Sequence, residues 1–197
     1  MNPTSLQSIY AAIDAVNRQD PNQELDLEGV SVPKEWLYGQ RMTQSLERFA
    51  PEASLAVRIA ARGQHIARWS LPRQDFPMTR EGYLRWRTTL YGYHADRLEA
   101  LMQELGWSEM VIQSVRKIVQ KKSIKSDPEV QLVEDVACLV FLEFYFSAFA
   151  KTQAEEKLIP IIQKTWRKMS DEGHAAALKL PFSEAELALI GKALETA

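Results

Sequence analysis

Residues 79–105 read TREGYLRWRTTLYGYHADRLEALMQEL, and this stretch decides the fold class. Tyr83, Trp86 or Arg87, Leu90, His94, Leu98, Leu101 and Leu105 recur at spacings of three and four, the signature of one helical face. Thr79 is a good N-cap, and Gly106 ends the stripe with a residue that accepts positive φ. The pattern predicts one long helix of seven turns. Upstream, Pro72 and Pro77 force a loop over 71–77, because neither proline can sit inside a helix. Before that loop, Ser54 caps a predicted helix over 54–69, and 34–49 forms another with Leu37, Met42, Leu46 and Phe49 inward. An acidic loop runs from Asp20-Pro21-Asn22 through Gly29 to Pro33, and a first helix covers 5–18.

Downstream the same logic holds. Ser108 opens a helix to about 121, and Asp127-Pro128-Glu129 supplies an N-cap, a first-turn proline and an acid at the positive end of the dipole. The apolar run continues that helix to 150. Further helices are predicted over 154–168, from Ser170, and from Ser183, which forms a capping box with Glu186. No stretch shows a convincing period of two. The expectation is an all-α, single-domain bundle of about eight or nine helices over 1–197.

Composition narrows the class further. Of 197 residues, 46% are hydrophobic and 25% charged, enough for a sizeable core and too apolar for a disordered tail. The one cysteine, Cys138, excludes a disulfide framework and every multi-cysteine metal motif. The start carries no signal-peptide pattern, and the longest apolar run, 136–150, is broken by Glu143 and too short to span a bilayer. A cytoplasmic protein with no membrane contact is expected.

The net charge of −2 hides an asymmetry. Residues 58–87 hold seven arginines, no lysine, and only Asp75 and Glu81, a local charge of +5. Guanidinium forks match the paired oxygens of phosphate or carboxylate, so this tract points to an anion, although arginines also coat solvent faces. A second basic stretch, Arg116, Lys117, Lys121, Lys122 and Lys125, holds no acid among it. A pI near 6 and the absence of a nucleic-acid motif argue against nucleic acid as the main partner, leaving a weak RNA-binding module as an outside reading.

Two polar residues sit on apolar stripes. His94 lies between Leu90 and Leu98, and Asp135 between Leu132 and Leu139. A carboxylate there is costly unless a cation, a metal or several donors meet it. Asp135 is therefore expected to be buried and bonded to His65, His94, Arg62, Arg68 or Arg87. No Walker loop, nucleophile elbow or dinucleotide glycine pattern is present.

The segments AARGQHIARW (60–69), YHADRLEALMQELGWSEMVIQSVRKIVQKK (93–122) and DPEVQLVEDVACL (127–139) resemble the helices of HD-domain phosphohydrolases, over a core of about 34–150. That resemblance implies His65, His94 and Asp135 as catalytic and metal candidates. It also departs from the pattern: Gln40, Gln64 and Lys121 fall where ligands would stand. One divalent ion (Mn, Mg or Zn) on the three candidates is one reading, and no metal is the other, since glutamine ligates poorly and lysine repels a cation. Over most of the chain, PKEWLYGQRMT, QHIARWSLPRQDFPM, GYLRWRTTL, LVEDVACLVFLEFYF and KTWRKMSDEGHAAALKLP resemble the uncharacterised DUF4202 family, which places Gln64, His65, Arg68, Trp69, Arg73, Tyr83, Trp86, Arg87, His94, Glu134 and Asp135 in its motifs without assigning them a role.

On a helix Gln64 pairs with Arg68 and His65 with Trp69. Gln64, Arg68, Trp69, Arg73, Trp86 and Arg87 are thus the expected ligand-binding set, in an HD-like cleft floored by Asp135. Guanidinium, indole and amide groups suit a phosphorylated, nucleotide-like small molecule. Two classes stay open: a ligand-binding divergent phosphohydrolase, and a non-catalytic helical binding protein with a degenerate metal site.

Overall fold

The computed structural model describes residues 4–195. It is all-α apart from one small hairpin, and it divides into two compact units, Met1–Ser123 and Ile124–Ala197.

The first unit contains α1 (Leu6–Asn17), the strands β1 (Gln23–Leu25) and β2 (Ser31–Pro33), α2 (Lys34–Phe49), α3 (Leu55–Gly63), α4 (Arg80–Glu104) and α5 (Glu109–Val119). The expected caps are in place: Ser5, Ser54 and Thr79 each accept a backbone N–H of the first turn. α3 packs on α2 and α5, and α4 packs on α5. Their shared core holds Ile9, Ile13, Met42, Leu46, Ile59, Ile66, Leu98, Met102, Ile112 and Ile118, all essentially fully buried. Each such side chain contributes about 1.5–3 kcal/mol by leaving water.

Two elements differ from the sequence expectation. The acidic loop contains an antiparallel hairpin that pairs Gln23 with Pro33 and Leu25 with Ser31. Its turn is built by Asp26, whose carboxylate accepts the N–H groups of Glu28 and Val30, and by Gly29 at φ 79°. Strands of three residues are too short for a period of two to show. The helix from Ser54 also ends at Gly63, six residues early. The chain turns there through Ala67, a non-glycine residue at φ 50°, and continues as a short 3-10 turn, Arg68–Ser70.

Buried polar groups lock this unit. Arg62 grips both oxygens of Asp14, at 2.9 and 2.6 Å, and donates to the Thr43 hydroxyl at 3.1 Å, joining α1, α2 and α3. The helices approach closely at Gly39, where a Cβ would lie 2.9 Å from the Arg62 carbonyl oxygen.

The second unit contains α6 (Pro128–Val140), a π-helical turn (Phe141–Tyr145), α7 (Phe146–Ala150), α8 (Glu155–Lys168), α9 (Asp171–Ala177) and α10 (Glu184–Glu195). Asp127 and Pro128 start α6 as the sequence requires, and Ser183 with Glu186 closes the capping box of α10. The π turn interrupts the single helix expected over 127–150. α6 packs on α8 and α9, and α8 on α10, around Val136, Leu142, Phe146, Leu158 and Ile162. Among the described residues no helix is long and apolar enough to cross a membrane.

Candidate functional site

A cavity of about 180 Å³ opens in the first unit, walled by Gln64, His65, Arg68, Trp86, Arg87 and His94, with Tyr83, Leu90, Tyr91, Val119 and Lys121. The end of α3, the turn after it, α4 and the end of α5 supply these groups. Three cationic side chains line the cavity, and no carboxylate does.

The cations rest on aromatic faces. Arg68 lies over Trp86 at 4.9 Å, Arg87 over Tyr83 and Tyr91 at 5.8 and 5.5 Å, and Lys121 over Tyr91 at 5.8 Å. Such contacts position a cation without neutralising it. Arg87 also donates to the Tyr91 hydroxyl. Trp86 is held by its indole N–H, which donates to the Leu71 carbonyl at 2.8 Å.

Behind the wall lies a group that the sequence reading missed, Glu35. Its side chain is buried, with one oxygen 3.2 Å from His65 Nδ1 and the other 3.6 Å from Arg68 Nε. Burial raises its carboxyl above the ordinary range, against the opposing pull of Arg68. Asp20 accepts the Glu35 backbone N–H at 3.0 Å, and Asn17 reaches both the Glu35 carbonyl and the Ala67 N–H. The strained Ala67 turn is thereby held, and it delivers Arg68 to the cavity. A signal for Glu35 existed. It shares a helical face with Tyr38 and Met42, three and seven residues on.

The two histidines face each other with ring centroids 5.9 Å apart, and His65 stacks on Tyr38 at 4.1 Å. Removal from water holds His65 well below the ordinary imidazole range, and the charges of Arg68 and Lys121 add to this. Burial also lowers His94, to about 3, with the neighbouring His65 as the next cause. Both rings are neutral at pH 7. His94 donates Nδ1–H to the Ile66 carbonyl at 2.8 Å, while its Nε2 is buried with no partner.

Gln64, His65, Arg68, Trp86, Arg87 and His94 therefore stand together at one site. Three expected members do not. Arg73 spends its guanidinium on the carbonyls of Phe76, Pro77 and Thr79, at 2.9, 2.8 and 3.3 Å, and so staples the loop that leads into α4. Trp69 is half-buried in the 3-10 turn, because the early end of α3 breaks its spacing to His65. Asp135 is buried as its stripe required, but its partners are not histidine or arginine. It accepts from Ser170 N–H at 2.8 Å, Ser170 Oγ at 2.6 Å and Gln131 Nε2 at 2.9 Å, all within the second unit. Three donors satisfy the carboxylate and leave it a structural anchor for α9.

The metal set His65, His94 and Asp135 is therefore a poor fit. Asp135 is consumed elsewhere, and the imidazoles share their cavity with three cations. Among the described residues no group of three or more His, Cys, Asp or Glu could hold a metal ion.

The family model described as domain of unknown function (DUF4202) matches residues 7–190. Searches of curated proteins and of solved structures gave no match.

Proposed function

This chain belongs to the DUF4202 family, and we propose that its first unit binds a small phosphorylated molecule in the cavity between α3, α4 and α5. The observation that carries the reading is the convergence of Arg68, Arg87 and Lys121 on a space with no lining carboxylate. Three positive charges lining one recess repel one another and attract an anion, and guanidinium forks favour the paired oxygens of phosphate. At about 180 Å³ the cavity is smaller than the roughly 300–1,000 Å³ of drug-sized pockets, so it takes a phosphate and its immediate attachment. The base of a nucleotide would extend beyond it. We place the protein with such ligands in the cytoplasm, as a single buried cysteine suits a reducing compartment.

The test is a thermal-shift and calorimetric titration with nucleoside monophosphates and inorganic phosphate. A ligand at a hundred times its Kd stabilises the folded state by about 2.7 kcal/mol, which raises Tm by several degrees. Arg68→Ala and Arg87→Ala should each weaken binding at least about tenfold. Arg85→Ala, which removes the same charge from an exposed position on α4, should not. No shift with any phosphate, or equal loss in all three variants, would overturn the reading. Release of phosphate from a bound monoester would identify a divergent phosphohydrolase rather than a binding protein.

A further inference from the structure

His94 lines the cavity, is only 2% exposed, and its Nε2 has no hydrogen-bond partner. The protonation of this ring follows from its other nitrogen. The Ile66 carbonyl can only accept, so Nδ1 carries the proton, and in a neutral ring Nε2 is then a bare lone pair. Burial opposes a second proton, with the ring lowered to about 3. An acceptor in this position stays unsatisfied until something donates to it.

An anion on the arginines does not meet that need. Sulfate, carboxylates and phosphomonoester dianions present acceptors alone. His65 lines the same cavity but is only half-buried. Its Nδ1 faces the Glu35 carboxylate at 3.2 Å, which leaves its Nε2 as a second acceptor. The site thus offers cations for phosphate and imidazole lone pairs for hydroxyl groups. Leu90 and Val119 add an apolar wall suited to C–H surface.

We infer that the ligand is a phosphorylated polyol of the sugar-phosphate class, its phosphate held by Arg68, Arg87 and Lys121 and its hydroxyls donating to His94 Nε2 and His65 Nε2. This rests on the anion-binding reading above and names the ligand class.

Calorimetry at pH 8 with sulfate, methyl phosphate and ribose 5-phosphate separates the two ideas, because the first two carry no donor there. Ribose 5-phosphate should bind about tenfold or more tightly than methyl phosphate. In His94→Phe that preference should shrink to less than about twofold. A second measurement needs no variant: the imidazole ¹⁵N signal of His94 Nε2 should move toward its hydrogen-bonded position with ribose 5-phosphate and stay in place with sulfate. Arginine-dependent binding of methyl phosphate without a sugar preference, a preference that survives in His94→Phe, or an unmoved ¹⁵N signal would overturn the inference and leave the anion site standing. Failure of all three probes to bind would overturn both.

Discussion

Acidification should destabilise the first unit through His94. In the unfolded chain this imidazole titrates near 6.5, whereas in the fold burial lowers it to about 3. Between those values the unfolded state binds a proton that the native state refuses, so stability rises with pH and is lost as pH falls. Above about 7 the contribution is flat. Each pH unit inside the window is worth about 1.4 kcal/mol, so moving from pH 7 to pH 5 should remove about 2 kcal/mol through this residue alone. His65 is lowered as well and acts in the same direction. The contrast to measure is wild type against His94→Asn. The asparagine amide can still donate to the Ile66 carbonyl and does not titrate. Urea unfolding can be followed by tryptophan fluorescence, since Trp36, Trp69, Trp86 and Trp107 all belong to the first unit. The wild type should lose about 2 kcal/mol more than the variant between pH 7 and pH 5, at unchanged m-value. Equal losses would refute the claim that a neutral, buried imidazole occupies this position.

Two further outcomes concern the buried polar anchors. Arg62→Met should cost about 3 kcal/mol in denaturant unfolding, because it takes the cation from the part-buried Asp14 carboxylate and leaves it the Gln40 amide at 3.2 Å, and a loss under about 1 kcal/mol would show that Asp14 reaches water instead. Asp135→Asn should destabilise the second unit by about 1–3 kcal/mol, since the amide cannot accept all three hydrogen bonds from Ser170 and Gln131. Hydrogen exchange at the start of α9 checks this. Unchanged protection of the Ser170 amide would count against the anchor.

The positions of helices were legible because their signals are local. Thr79, Ser54, Asp127 with Pro128, and Ser183 with Glu186 each act within one turn of their own residue, and each sits where its side chain demands. The hairpin at Gln23–Leu25 and Ser31–Pro33 was illegible because three-residue strands carry too few positions to display a period. The π turn at Phe141–Tyr145 was hidden for a related reason: its residue types suit an ordinary helix equally well.

Burial, likewise, was written in the stripes. His94 and Asp135 are both inside, as a polar residue flanked by leucines at helical spacing must be. Partners were not. Asp135 meets Ser170 at 35 positions' distance and His65 meets Glu35 at 30, and no local pattern selects one distant donor or acceptor over another. Nor does the sequence tell one arginine's task from the next. Arg62 is a buried clasp, Arg73 a loop staple, and Arg68 and Arg87 face the cavity. By itself the sequence determined where helices begin and which faces turn inward, since hydrogen bonding and hydrophobic burial act along a few neighbouring residues. Only the tertiary structure decided which charges meet, because that depends on where the chain brings its distant segments together.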